Sequence, residues 1–201
     1  MTKKIMFNDK YCLTQAVLDG TKTMTRRSFA RFEPDARMFD EICNIEGGFD
    51  DKGRWIFTLY NKNGDIIGDI IPHYNIGEVV AIAQSYNTIG KPQYDKFGNG
   101  VPGNSNKMFV RAELLPHHIR ITDIKVERLQ SISDDDILRE GVWQFHYDNE
   151  LFYVSKNTGY APEVAFPTAR EAFWYLIDKV SGNGTWESNP WVVVYSFELV
   201  D

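Results

Sequence analysis

The run Trp191-Val192-Val193-Val194-Tyr195-Ser196-Phe197-Glu198-Leu199 does most to limit what this chain can fold into. It is too rich in β-branched and aromatic residues to be a terminal helix, so the chain closes on a buried strand. A strand of that apolarity needs neighbours, and candidates are scattered along the sequence. Trp55, Phe57 and Leu59 alternate before Asn63-Gly64, and Asp65–Ile71 returns, which predicts a hairpin over 54–71 stopped by Pro72. Ile76–Ile82 reads as a short strand after a tight turn at Gly77. Residues 107–113 and 118–129 read as two more, the second with a phase slip at Thr122-Asp123 that predicts a β-bulge.

Three helices are expected among these strands. The first covers 9–19, capped by Asn8 and ended by Gly20, with Leu13, Ala16 and Val17 as its stripe. The second opens at Ser133, carries Asp134, Asp135 and Asp136 in its first turn, and ends at Glu140-Gly141. The third opens on the capping box Thr168-x-x-Glu171 and carries Phe173, Trp174, Ile177 and Val180 before Gly182. Residues 87–106, rich in Gly, Asn and Pro, read as a long surface loop. Strands dispersed among a few helices imply one α+β domain over 1–201. Its sheet is expected to be mostly antiparallel or barrel-like, with insertions.

Composition excludes several classes. The 201 residues are 43% hydrophobic and 25% charged, which is globular, not disordered. No apolar run has the length of a membrane span, and Met1-Thr2-Lys3-Lys4 leads into no signal core. Two cysteines, Cys12 and Cys43, are too few for a disulfide framework or a cysteine-built zinc site and suit a reducing cytosol. A cytoplasmic protein is expected. The net charge of −6 argues against a protein that coats nucleic acid by counterion release. Residues 22–37 are locally basic, with Lys22, Arg26, Arg27, Arg31 and Arg37 against Glu33 and Asp35. Such a patch suits a small anionic or nucleotide-like ligand. His73, His117, His118 and His146 lack metal-ligand spacing, the Asp134–Asp136 run fits a helix N-terminus, and no phosphate-binding glycine loop occurs. Neither metal nor cofactor is expected.

The densest polar constellation is Gly20-Thr21-Lys22-Thr23-Met24-Thr25-Arg26-Arg27. In an extended segment Thr25 and Arg27 share a face, while Lys22 reaches Thr25 only around a turn. A desolvated lysine can take the proton of a threonine hydroxyl and make it a nucleophile, and an arginine can hold a developing oxyanion.

Gly20-x-Lys22-x-x-Thr25-x-Arg27 after a short helix resembles the signature of the ASCH family. Three further blocks follow in family order: Ile76-Gly77-Glu78-Val79-Val80, then Leu129-x-x-Ile132 with Ser133 to Glu140-Gly141, then Pro190-Trp191-Val192 to Phe197. Together they cover about half the chain. The whole also resembles the longer ASCH-containing proteins of phages and prophages. The stretches 28–72, 87–106 and 144–166 then read as insertions. The resemblance implies a PUA-like fold, a curved, barrel-like sheet flanked by helices, with a cleft for a nucleobase, nucleoside or RNA. One branch of the family is similar to an amidohydrolase that removes the acetyl group from acetylated cytidine, and another member is a ribonuclease. In the amidohydrolase branch a lysine, a threonine and a glutamate act, and these fall on Lys22, Thr25 and Glu140. Arg27, Arg26 and Glu78 are candidate ligand contacts. Trp186, Asn189 and Trp191 are candidates for stacking a base and reading its edge. The alternatives are a non-catalytic reader of RNA or a modified base, and a phage accessory protein with a vestigial cleft.

Overall fold

The computed structural model describes residues 2–28, 40–145, 148–154 and 164–200. Arg31, Glu33, Asp35 and Arg37 of the basic stretch lie outside the described residues, as do His146 and parts of the 28–72 and 144–166 stretches.

Five strands form the principal sheet: β1 (Lys4–Ile5), β2 (Met24–Ser28), β6 (Val79–Ile82), β7 (His118–Arg128) and β11 (Trp191–Leu199), in the order β1-β6-β7-β11-β2. All neighbours are antiparallel except β1 and β6, which run parallel. The closing strand β11 lies between β7 and β2 with six consecutive buried residues, Val192–Phe197, of which Ser196 alone is not hydrophobic, which explains its near-continuous apolarity. Asp123 pairs with Ser196 and Ile121 with Phe197, so Thr122 is the extra residue of a bulge, at the phase slip seen in the sequence.

Two smaller sheets come from stretches read as insertions. One is β3 (Asn44–Phe49), β4 (Trp55–Tyr60) and β5 (Ile66–Ile70) in sequence order. The other is β8 (Trp143–Phe145), β9 (Asp148–Tyr153) and β10 (Ala165–Phe166), in the order β10-β9-β8. The protein is thus α+β with mixed sheets and few helices. Among the described residues the sheets are open and the expected barrel-like closure is not formed, because β1 and β2 end the principal sheet without pairing each other.

The expected 9–19 helix is broken. Asp9–Tyr11 is a 3-10 turn capped by Asn8, Cys12 adopts a left-handed backbone (φ 53°), and only Leu13–Leu18 is α-helix (α1). The second helix, α2 (Asp134–Arg139), has Ser133 accepting from the Asp136 N–H and Glu140 as its C-cap. The third, α3 (Ala169–Ser181), is capped by Thr168. It buries Ala169, Ala172, Phe173 and Leu176, whereas Trp174 and Val180, read as part of its apolar stripe, are largely exposed. A further short helix, α4 (Thr185–Ser188), carries Trp186.

Residues 107–113 are not a strand. They form two 3-10 turns, Lys107–Phe109 and Ala112–Leu114. The Lys4 ammonium gathers the carbonyls of Lys107, Met108 and Val110, and these oxygens are therefore unavailable to a ladder. The 87–106 loop packs on its own small core of Ala81, Tyr86, Val110, Ala112 and Leu115. At Gly103 a Cβ would stand 2.6 Å from the Tyr86 ring, so only glycine permits that contact.

Candidate functional site

β2 is an edge strand, and this explains how its residues build a site. The Phe197 N–H donates to Thr23 O, so Thr25 and Arg27, in the same phase, exchange their main-chain bonds with β11. Met24, Arg26 and Ser28 then turn their N–H and C=O groups toward the other side of β2, where no strand pairs among the described residues. Met24 O is on that side and accepts from Lys22 Nζ at 2.7 Å.

Lys22 is only 2% exposed. Its Nζ also donates to Glu140 O at 2.6 Å and Glu140 Oε2 at 2.7 Å. The two residues are 118 positions apart in the chain. The C-terminal end of α2 delivers Glu140, and the Thr23 N–H bonds to Arg139 O beside it. Gly141 completes the junction with φ 102°; a Cβ there would lie 2.9 Å from Leu13 Cδ2.

Glu140 is shared. Its Oε1 accepts from Arg26 Nη1 at 2.9 Å. Arg26 also pairs with Glu127 and Asp136, and Lys125 and Arg139 contact the same acids. This network occupies the sheet face of Met24, Arg26, Val194, Lys125 and Glu127. Thr25 and Arg27 lie on the opposite face with Tyr195 and Val193, sharing it as the extended reading of this segment expects.

One cavity of about 300 Å³ is lined by Lys22, Thr25, Arg26, Arg27, Ser28 and Glu140. Its apolar wall comes from Phe7 and Leu13 on one side and Phe173, Leu176 and Ile177 of α3 on the other. Phe7 lies near both cations: its ring centroid is 5.8 Å from Lys22 Nζ and 5.6 Å from Arg27 Cζ. Among the described residues nothing hydrogen-bonds the Thr25 hydroxyl, and Thr25 is one of the residues that line the cavity.

Opposing effects act on Lys22, and burial prevails. Burial pulls its ammonium below the ordinary lysine range; the Glu140 carboxylate pulls it back up; Arg27 and Arg26 push it down again. The three oxygens around Nζ match the three protons of an ammonium. Glu140 accepts from a cation on each oxygen, the arrangement of a carboxylate. It is the counter-ion of Lys22.

The other candidates lie outside the cavity lining. Glu78 pairs with Lys3 at 3.0 Å and accepts from the Asn75 N–H, which makes it a turn residue before β6. Trp186 is 9% exposed, edge-on to Phe173. Asn189 has a left-handed backbone (φ 42°), and its Oδ1 accepts from the Gln130 N–H. Trp191 lies beneath the Arg128 guanidinium at 4.7 Å. Residues that sequence reasoning missed are Phe7, Glu127 and Asp136; each is ordinary in its local pattern and gains its role only through long-range packing. Among the described residues no three His, Cys, Asp or Glu side chains gather as a metal set, and no helix is long and apolar enough to cross a membrane.

No family model matches the chain, and no curated protein or solved structure matches it significantly.

Proposed function

We propose that the cavity is the reaction site of an amidohydrolase that removes an acyl group from an acylated cytidine, and that the principal sheet is a PUA-like core of the ASCH type. The observation that carries this reading is the unbonded hydroxyl of Thr25, a residue lining a cavity that also holds a desolvated lysine. The order of the four sequence blocks supports it as well, since residues from the first and third meet at the Lys22–Glu140 pair.

The chemistry runs as follows. Lys22 in its neutral form accepts the Thr25 proton as Oγ1 attacks the amide carbonyl. The outward main-chain N–H of Arg26, adjacent to Thr25, stabilises the tetrahedral oxyanion. The C–N bond breaks, and the Lys22 ammonium returns the proton to the leaving exocyclic amine. Water then cleaves the threonyl ester, releasing the carboxylic acid and restoring Thr25. Glu140 and Arg26 hold Lys22 in place throughout. A cavity of about 300 Å³ is at the lower end of ligand-pocket sizes and suits one nucleoside.

The test is release of cytidine from acetylcytidine by the purified protein beside Lys22→Ala. Turnover by the native protein and none by the variant supports the reading; no turnover by the native protein removes this reaction. One observation favours a second reading, a binding module without catalysis: all three Lys22 protons are engaged in hydrogen bonds, as in a lysine that never gives one up.

A further inference from the structure

Three cations, Lys22, Arg26 and Arg27, line the cavity with a single carboxylate, Glu140. Lys22 and Arg26 divide that carboxylate between them, and Arg26 has Glu127 and Asp136 besides. Arg27 has no carboxylate partner among the described residues. Its Nη2 donates to the main-chain oxygen of Met6, and its Nε–H is enclosed and meets no acceptor. Phe7 and the phenols of Tyr74 and Tyr195 are its neighbours. Burial pushes the guanidinium pKa down, against the weaker pull of those phenols and of Glu140.

A half-buried guanidinium with an enclosed, unbonded Nε–H and no carboxylate partner is unfavourable, and its planar fork of donors fits a carboxylate or phosphate edge. The other two cations of the cavity are neutralised within the protein; this one is left for a ligand.

We propose that Arg27 anchors an oxyanion group of the cavity's ligand, so that the molecule taken up is an anion. This rests on reading the cavity as the reaction site and narrows its substrate class. The oxyanion is either a phosphate on the nucleoside or a carboxylate at the far end of the acyl group. Arg27 is a binding residue in this account, and the tetrahedral oxyanion is left to the Arg26 N–H.

Calorimetric binding to the native protein tests this without requiring turnover. Cytidine 5′-monophosphate is compared with cytidine, and succinylated with acetylated cytidine, each at two salt concentrations. The expected result is that one anionic member binds about tenfold or more tightly than its neutral counterpart, and that salt weakens the preference. A preference for the monophosphate assigns the phosphate; a preference for the succinyl compound assigns the carboxylate. Arg27→Gln abolishes the preference while leaving the melting temperature equal or higher, because the variant removes a half-buried charge that has no carboxylate partner among the described residues. Equal binding of anionic and neutral members by the native protein overturns the proposal, and so does a preference that survives in Arg27→Gln. If acetylcytidine is not hydrolysed yet the anionic preference holds, the reaction fails and the anion site stands.

Discussion

Glu140 holds Lys22 twice, through its main-chain oxygen at 2.6 Å and its Oε2 at 2.7 Å, so the end of α2 and the segment entering β2 are tied at one buried nitrogen. The same carboxylate reaches Arg26 through Oε1. Removing its charge leaves the buried Lys22 without a counter-ion and Arg26 with Glu127 and Asp136 alone. Glu140→Gln is expected to cost about 3–5 kcal/mol of stability, read from denaturant unfolding. Lys22→Met costs less, because Glu140 keeps Arg26. A smaller loss in Glu140→Gln than in Lys22→Met would refute this picture of the network.

Gly141 is the hinge of that junction. With φ 102° and a Cβ position 2.9 Å from Leu13 Cδ2, Gly141→Ala is strained and crowded at once. A loss of about 1–3 kcal/mol is expected, together with reduced turnover as Glu140 shifts. Thermal unfolding at unchanged midpoint would contradict the account.

Ser133 caps α2, with its Oγ 3.2 Å from the Asp136 nitrogen. Ser133→Ala is expected to cost about 1 kcal/mol. Because the cap fixes the helix that delivers Glu140, the loss is accompanied by faster amide hydrogen exchange at Ile137 and Glu140. Exchange there that matches the native protein would separate the cap from the site.

The depressed ammonium of Lys22 gives a pH dependence with a definite sign. Between its folded value and the ordinary lysine value, the unfolded chain holds a proton that the folded chain does not, so stability contributed by this group rises with pH across that window. With Lys22 as the proposed base, turnover is expected to follow the neutral amine and to rise through the same folded value, below the ordinary lysine range. A pH–rate profile with no rising limb below that range would show that Lys22 is not the base.

Trp191 lies under Arg128 and outside the cavity lining, so Trp191→Ala leaves KM for acetylcytidine unchanged. Trp186→Ala costs about 3–5 kcal/mol, since the ring is buried against Phe173. A raised KM in Trp191→Ala would return this end of the sheet to the binding surface.

Elements with a local signal were legible in the sequence. The closing strand, the bulge at Thr122, the Asn63-Gly64 hairpin and the caps at Ser133 and Thr168 all follow from apolar phase or from turn and cap chemistry. Elements set by distant partners were not. β1 has two residues and exists only because it pairs with β6. Residues 107–113 have strand-like apolarity, but Lys4, a hundred residues away, takes their carbonyls. At the site, Lys22, Thr25, Arg27 and Glu140 could be named from the signature they resemble. That Glu140 is a counter-ion shared with Arg26 depends on Glu127 and Asp136, which no spacing connects to it.

The claim on which the rest depends is that the Thr25 hydroxyl is the nucleophile. Cytidine release from acetylcytidine by the native protein, Thr25→Ser and Thr25→Val tests it most directly. The account predicts turnover by the native protein, measurable turnover by Thr25→Ser, which keeps a hydroxyl, and none by the isosteric Thr25→Val. Turnover by Thr25→Val at the native rate would contradict it.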